Sequence, residues 1–295
     1  MLTLPNGKKI DFLCSSGALG FTGNGYWWEK PFFWMKWIRP EELTIITKTL
    51  TYAPRKGNYR WWKPWETFCL IKNGTVNALD LPNPGYKQWV ENYYSQARCY
   101  KVIVSIAPES VDEAKEIAGA LSMLQDLVAI EVNVSCPNFP SSLEDCNRFS
   151  RNLSVAIVET VVKHCSHPVI VKLGVPYMDL CRALDKKVAA FDLINSVPWN
   201  VVFPKKPSPL WSSAGGLFAG GVSGSLIKEY SREALRQVLP VCRTPIITGG
   251  GIDSLAEVRL RAVMGARAFT FGTLFLRHPS LPNKIAKDWR ENRRL

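Results

Sequence analysis

Short apolar runs rich in Val and Ile alternate along the chain with amphipathic stretches. The runs occupy 9–14, 43–50, 101–106, 127–134, 168–173, 189–197, 245–248 and 268–271, and each reads as a strand. Between them, the spacing predicts helices over 111–125, 148–164, 177–187, 226–239 and 254–265. The last is well delimited, because Asp253 or Ser254 can cap its start and Gly265 can close its end. Eight strands with intervening helices predict an α/β fold of the (β/α)8 TIM-barrel type rather than an open sheet. No internal repeat, low-complexity tract or linker interrupts this rhythm, so 1–295 reads as a single domain.

Two loop excursions break the alternation, at about 52–83 after the second strand and about 198–221 after the sixth. Both follow strand carboxyl ends, on the barrel's C-terminal face where active sites are assembled, and long loops there read as lids. Trp27, Trp28, Trp34 and Trp37 precede the first excursion, and Trp61, Trp62 and Trp65 lie within it. Aromatic side chains dominate core burial, so these are expected to fill a core layer over the barrel. The competing reading is an oligomer interface or an aromatic lid over a planar ligand.

Composition narrows the choice. With 295 residues, 46% of them hydrophobic, the chain can bury a substantial core, which excludes a disordered protein. No apolar run approaches the roughly 20 residues of a membrane span, and the N-terminus lacks a secretory signal's apolar core. A cytoplasmic protein without a membrane partner is expected. The eight cysteines are scattered with no C-x-x-C pair, which favours reduced thiols over zinc or disulfides. His164-Cys-Ser-His167 lies just before the fifth strand, at the amino-terminal face, and reads as a turn rather than a metal site; no metal is expected. The formal charge of +12 suits an anionic substrate, a phosphate-bearing cofactor or RNA, yet the basic residues are spread out as on a generic basic surface. No Ser-His-Asp arrangement or carboxylate pair points to hydrolysis.

The predicted strands end in Ser15 and Ser16, Lys48, Ser105, the segment 133–138, Lys172, Asn195 and Ser196, the glycines 249–251, and Gly272 with Thr273. A coherent polar set around one face is what a site requires. Thr248-Gly-Gly-Gly-Ile-Asp253 runs into a helix, and Phe271-Gly-Thr273 closes the final strand. Glycines let backbone N–H groups approach a phosphate, and barrel phosphate sites lie after strands seven and eight. The segment Glu131-Val-Asn-Val-Ser-Cys-Pro-Asn138 is the most informative, since a β-branched strand ends there in polar side chains and a thiol. A lone cysteine is ordinarily a small buried hydrophobe, and the other seven are read so. Cys136, flanked by Ser135, Pro137 and asparagines, reads as a reactive thiol.

Several segments fall in the order of a known family: 12–20 (FLCSSGALG), Ile46-Thr-Lys-Thr-Leu-Thr51, Pro54-Arg-Lys-Gly-Asn58, 76–83 (VNALDLPN), Asn133-Val-Ser-Cys-Pro-Asn138, Val171-Lys-Leu173, Ile194-Asn-Ser196, Gly220-Gly-Val-Ser-Gly224, Gly250-Gly-Ile252 and Gly272-Thr273. Over nearly its whole length the chain resembles the flavin-dependent dihydroorotate dehydrogenases, specifically the soluble, cysteine-based class. The resemblance implies an FMN-containing barrel that oxidises dihydroorotate to orotate. Gly250, Gly251, Gly272 and Thr273 would hold the flavin phosphate, with Lys172 at the ring's polar edge and Ser16, Lys48, Ser196 and Gly221 lining the cofactor. Lys48, Asn77, Leu79, Asp80, Leu81, Asn133, Asn138, Asn195 and Ser196 would hold the substrate. Cys136 would be the catalytic base, assisted by Lys48. A planar pyrimidine carboxylate does need amides that donate and accept, plus one cation. One phosphate site without a dinucleotide fingerprint fits FMN rather than FAD. A homodimer is expected, with an iron–sulfur flavoprotein subunit or fumarate as electron acceptor.

The chain departs from the family at Asp80, where a glycine is usual beside the substrate carboxylate, and a carboxylate there repels an anion unless it points away. The stretch 58–66 is atypically aromatic, and 139–145 lacks the family's residues. These departures motivate an alternative, a related flavoenzyme acting on a different cyclic imide or related small molecule. A tRNA dihydrouridine synthase would prefer Asn-x-Gly-Cys-Pro and carry an RNA-binding domain, so no nucleic-acid partner is expected. A non-catalytic barrel would not need Lys48, Cys136 and Lys172 together.

Overall fold

The computed structural model describes residues 1–58, 62–135, 151–210 and 220–292. All eight expected strands form: β1 (Phe12–Cys14), β2 (Thr44–Ile46), β3 (Lys101–Ile106), β4 (Ala129–Asn133), β5 (Val169–Leu173), β6 (Ala190–Leu193), β7 (Ile246–Thr248) and β8 (Ala268–Phe271). They pair in parallel and in order, and β8 returns to β1 with Phe269 opposite Phe12, closing the (β/α)8 barrel. The apolar run 43–50 yields only Thr44–Ile46 as strand, because the chain then turns to build the barrel mouth: Lys48 N–H donates to Gly20 O and Leu50 N–H to Ser105 O.

The barrel interior is layered. Leu13, Ile46, Ile103, Ala129, Ile170, Ala190, Ile247 and Ala268, one from each strand, form an apolar layer with Leu2, Leu4 and Ile10. The last three belong to the amino-terminal segment, whose strands Leu2–Thr3 and Lys9–Ile10 pair antiparallel and plug the floor. Side chains two residues further along a strand face the same way. Those positions are Ser15, Lys48, Ser105, Glu131, Lys172, Asp192, Gly249 and Thr270, so the apolar layer gives way to a polar one at the strand carboxyl ends.

The helices outside follow their capping chemistry. Helix Val111–Ser122 buries Ala114, Ile117, Ala118 and Leu121, and Ser110 caps it by accepting the Glu113 N–H at 3.2 Å. Ser254 rather than Asp253 caps helix Leu255–Met264, and Gly265 closes it at φ +122°. The stretch 177–187 gives only a 3₁₀ turn, Val175–Tyr177, and the short helix Leu180–Ala183. Helices Tyr86–Asn92 and Tyr94–Ala97 have no counterpart in the sequence reading.

The two excursions meet over the carboxyl-terminal face. The first contributes the hairpin strands Phe68–Ile71 and Gly74–Asn77; the second leaves through Val197–Pro198 and returns in Gly221–Gly224. Together they make one four-stranded antiparallel sheet, with Gly221 opposite both Asn77 and Pro198. The lid elements are therefore joined by backbone ladders rather than hanging as separate loops.

The tryptophans correct the expected core layer. Trp27 and Trp34 are 80% and 87% exposed, and Trp28, Trp37, Trp62 and Trp65 are also exposed; Trp61 lies outside the described residues. The short turns Trp27–Glu29 and Lys30–Trp34 bury Glu29 and are followed by buried Ile38, while the rings stack on neighbouring aromatics, Tyr26 on Trp28 at 4.6 Å and Phe32 on Trp37 at 5.7 Å. A five-residue helix cannot turn every ring inward. We expect Trp34→Ser to shift the urea midpoint by less than about 0.5 kcal/mol equivalent with an unchanged m value. A loss of about 3–5 kcal/mol, the cost of deleting a buried tryptophan, would restore the core reading.

Candidate functional site

The polar layer is held together by a buried ammonium. Lys172 Nζ donates to Asp192 Oδ2 at 3.0 Å and to Ser15 Oγ at 3.3 Å, and lies 3.9 Å from Glu131 Oε2. Strand register brings them together, because Asn133, Lys172 and Asp192 are successive ladder partners and Glu131 stands opposite Ser105. Burial lowers the lysine's affinity for its proton, but Asp192 and Glu131 more than offset this and leave its pKa raised. Burial pushes the Glu131 carboxyl up, opposed by Lys172. Glu131 Oε1 accepts from Ser105 Oγ at 2.8 Å, whereas Oε2 accepts no hydrogen bond among the described residues.

From Ser105 a hydroxyl chain crosses the mouth: Ser105 to Thr49 at 3.0 Å, Thr49 to Ser16 at 2.9 Å, and Ser16 Oγ donating to Thr47 O at 2.9 Å. Two amides sit beside it. Asn195 Nδ2 donates to Asn133 Oδ1 at 3.3 Å and to Ser135 O at 3.1 Å, and Asn133 Nδ2 reaches Thr49 Oγ1 at 3.4 Å. Ser196 follows with its N–H on Asn195 Oδ1. Lys48 is half-buried, its Nζ 5.5 Å from the centre of the Phe21 ring, and burial lowers its pKa to about 8.

Around the rim, Gly250 and Gly251 follow β7 at φ +73° and +85°, a conformation that favours glycine. A Cβ on Gly251 would lie 2.8 Å from Lys228 Cα. Gly272 and Thr273 follow β8, and Gly221 begins the returning strand of the lid sheet. Asn77 ends the hairpin strand paired with that one. Cys136 and Asn138 lie outside the described residues. The structure thus brings Ser16, Lys48, Asn133, Lys172, Asn195, Ser196 and the two glycine turns to one face, and joins Asn77 to Gly221 across the lid.

The loop carrying Leu79, Asp80 and Leu81 resolves the electrostatic problem raised by Asp80. Its carboxylate is gripped by Arg55, with Nη2 at 2.8 and 2.9 Å from the two oxygens and Nε at 3.3 Å. Arg55 Nη1 also reaches Glu109 at 3.0 Å, so one guanidinium ties both carboxylates down and turns the Asp80 side chain toward Arg55. Asp80 and Leu81 adopt φ +54° and +49°, in the left-handed region that favours glycine, so this loop needs the support Arg55 gives it. Arg55 and Asn83 exchange backbone hydrogen bonds at 2.9 and 2.8 Å, and Asn58 N–H donates to Leu79 O, so 55–58 braces the loop.

Sequence reasoning missed Glu131 and Asp192 as partners of Lys172. The signal was present, since each is the lone carboxylate of a buried strand, where a charge needs a partner. Arg55 lay inside a recognised segment but was given no task.

Comparison with known proteins follows the same direction. The family profile described as dihydroorotate dehydrogenase matches residues 35–292. The catalytic subunit of dihydroorotate dehydrogenase B (NAD(+)) from Desulforudis audaxviator is 31% identical over 286 residues, covering 95% of this chain and 87% of its own. The corresponding subunit from Malacoplasma penetrans is 29% identical over 239 residues, covering 78% and 74%. A DHODH from Eimeria tenella, crystallised with ferulenol, superposes with a TM-score of 0.62 at 13% identity, covering 94% of this chain and 79% of that one, a likeness of fold.

The buried charges make a testable claim. Lys172→Met leaves Glu131 and Asp192 without their cation, and breaking such a buried pair costs about 3–5 kcal/mol at neutral pH. Glu131, whose carboxyl burial already pushes up against the pull of Lys172, should then hold its proton still more tightly in the folded state, so the variant should gain stability relative to wild type as pH falls from about 8 to 5. Urea midpoints of both proteins across that range provide the check; a pH-independent difference would show that the ammonium does not neutralise this pair.

Proposed function

The chain belongs to the dihydroorotate dehydrogenase family, and on that premise we propose that it is an FMN-dependent oxidoreductase converting dihydroorotate to orotate. The observation that carries the reading is the Lys172 ammonium, sealed between carboxylates in the layer that also presents Asn133 and Asn195, with a glycine turn after β7 and Gly272 after β8. This donor set fits FMN. Gly250 and Gly251 do not donate their N–H groups to any described carbonyl, so they suit a phosphate together with Gly272 and Thr273. Lys172, Ser16, Lys48, Ser196 and Gly221 would line the rest of the cofactor. When bound, FMN supplies the acceptor for the substrate's hydride.

The protein's own residues supply recognition and the proton. Lys48, Asn77, Asn133, Asn138, Asn195 and Ser196, with the loop Leu79–Asp80–Leu81, would hold the planar pyrimidine. Lys48 provides the cation for its carboxylate, and the amides meet its imide edges. Cys136 takes the proton from the carbon beside the carbonyl, with Lys48 helping to hold the reacting ring against it. The lid sheet keeps water from the exchange. Since Arg55 occupies the Asp80 carboxylate, Asp80 no longer argues for a different cyclic imide.

We further take 1–295 as one domain acting as a catalytic subunit in the cytoplasm. No helix among the described residues is long and apolar enough to cross a membrane. The relatives' name, a catalytic subunit of an NAD(+)-linked enzyme, supports an iron–sulfur flavoprotein partner. The exposed tryptophans offer a surface for that partner or for a second copy in a homodimer.

Anaerobic mixing with dihydroorotate tests the reading. The purified protein should be yellow, release FMN on denaturation, and lose its visible flavin absorbance on mixing. Cys136→Ala should keep FMN yet reduce at least about 10²-fold more slowly; a colourless protein that cannot be loaded with FMN, or no bleaching in wild type, defeats the proposal. A second test uses Lys48, whose proton leaves near pH 8 because burial disfavours its charge. Orotate affinity should therefore fall as pH rises through that value, and Lys48→Met should abolish the dependence. A flat profile in wild type would assign the carboxylate to another cation.

A further inference from the structure

Behind the β7 turn lies an arginine with no exposure at all. Arg261, on helix Leu255–Met264, is 0% exposed, and its charge is met by Glu257, whose Oε1 accepts from Arg261 Nε at 2.7 Å. Glu257 is itself buried and is also held by Arg232, with Nη2 at 2.5 Å and Nε at 3.2 Å. The remaining face of the guanidinium is turned on the backbone of the glycine turn. Nη1 donates to Gly249 O at 2.5 Å and to Thr248 Oγ1 at 3.0 Å, and Nη2 donates to Gly250 O at 2.7 Å. Ser231 Oγ adds a second donor to Gly249 O at 2.5 Å.

A buried guanidinium is expensive to desolvate, and filling this space does not require one. Its particular capacity is a rigid fork that grips two neighbouring acceptors at once. The peptide geometry gives that grip a consequence. In a trans peptide the C=O and the following N–H point in opposite directions. Fixing Gly249 O and Gly250 O toward Arg261 therefore directs the N–H groups of Gly250 and Gly251 away from it. Neither N–H donates to a described backbone or side-chain acceptor. The positive φ values at Gly250 and Gly251 leave the turn free to adopt this form, so something must hold it there.

We propose that Arg261 is a positioning residue for the flavin phosphate, clamping the carbonyls of Gly249 and Gly250 so that the amides of Gly250 and Gly251 form a pre-set pair of donors. This rests on the reading that the chain binds FMN. Arg261 does not touch the phosphate; it acts through the turn, with Glu257 and Arg232 holding it in place.

The test separates the phosphate from the rest of the flavin. Riboflavin lacks the phosphate, so the ratio of its dissociation constant to that of FMN isolates the turn's contribution. Both constants are obtained by diluting the holoenzyme, following released flavin fluorescence, and displacing FMN with riboflavin. Arg261→Met should lower the ratio by about tenfold to a hundredfold, the worth of misaligned hydrogen bonds to a charged group, while riboflavin affinity holds. Arg261→Lys, which keeps a cation for Glu257 but cannot grip both carbonyls, should show the same loss to a smaller extent and carries the test should the Met variant fail to fold. If both flavins weaken equally, or neither changes, Arg261 only supports the fold and the proposal is wrong. A wild type that binds neither flavin instead defeats the FMN reading, and this proposal falls with it.

Discussion

A charged lysine sealed inside a barrel survives only if carboxylates reach it, and that requirement fixes most of what surrounds Lys172. Asp192 on β6 and Glu131 on β4 come from the two strands flanking β5, so the pair forms only when all three strands keep their register. A slip of one residue in any of them would turn the charge toward the helices and leave its partners uncompensated. The same register brings Asn133 beside Lys172 and Ser105 beside Glu131, and the hydroxyl chain to Ser16 follows from those positions. Compensating one buried cation and arranging donors at the mouth are thus one structural act.

The rim is organised by a second set of charges, farther from the barrel axis but built on the same logic. Arg55 with Asp80 and Glu109 steadies the first excursion, and Arg261 with Glu257 steadies the turn after β7. In each case an arginine braces main chain in the left-handed region, where glycine is easy and other residues need support. The lid sheet links these rims, because Gly221–Gly224 pairs with Gly74–Asn77 and Gly74 O accepts from Arg277 just beyond β8.

The barrel was legible in the sequence because parallel strands buried on both faces are written as β-branched runs, and nothing distant is needed to recognise them. Ser16, Lys48, Asn133, Lys172, Asn195 and the glycine turns were legible for the same reason, since their place at strand ends follows from where the runs stop. What depended on distant partners was not. The lid sheet joins strands about 150 residues apart, and its hairpin strand Phe68–Ile71 is only half-buried, so no local pattern announces it. The direction of the Asp80 carboxylate rests on Arg55, and the indoles near the amino terminus were misjudged because residue type sets what a side chain gains by burial, not whether the backbone turns it inward. The stretch 177–187 has helical spacing but only four residues, Leu180–Ala183, close into a helix before the turn at Lys186, which adopts φ +62°.

Titration of the FMN-loaded protein with orotate, followed in the flavin's visible spectrum, measures the central claim most directly, because it asks whether the polar layer places a pyrimidine carboxylate against the cofactor. The account predicts a saturable shift of the flavin bands, weakened by Asn133→Ala and Asn195→Ala without release of FMN. A spectrum unmoved by orotate while FMN stays bound would contradict it, leaving a flavin barrel whose Asn133, Asn195 and Lys48 serve some other molecule.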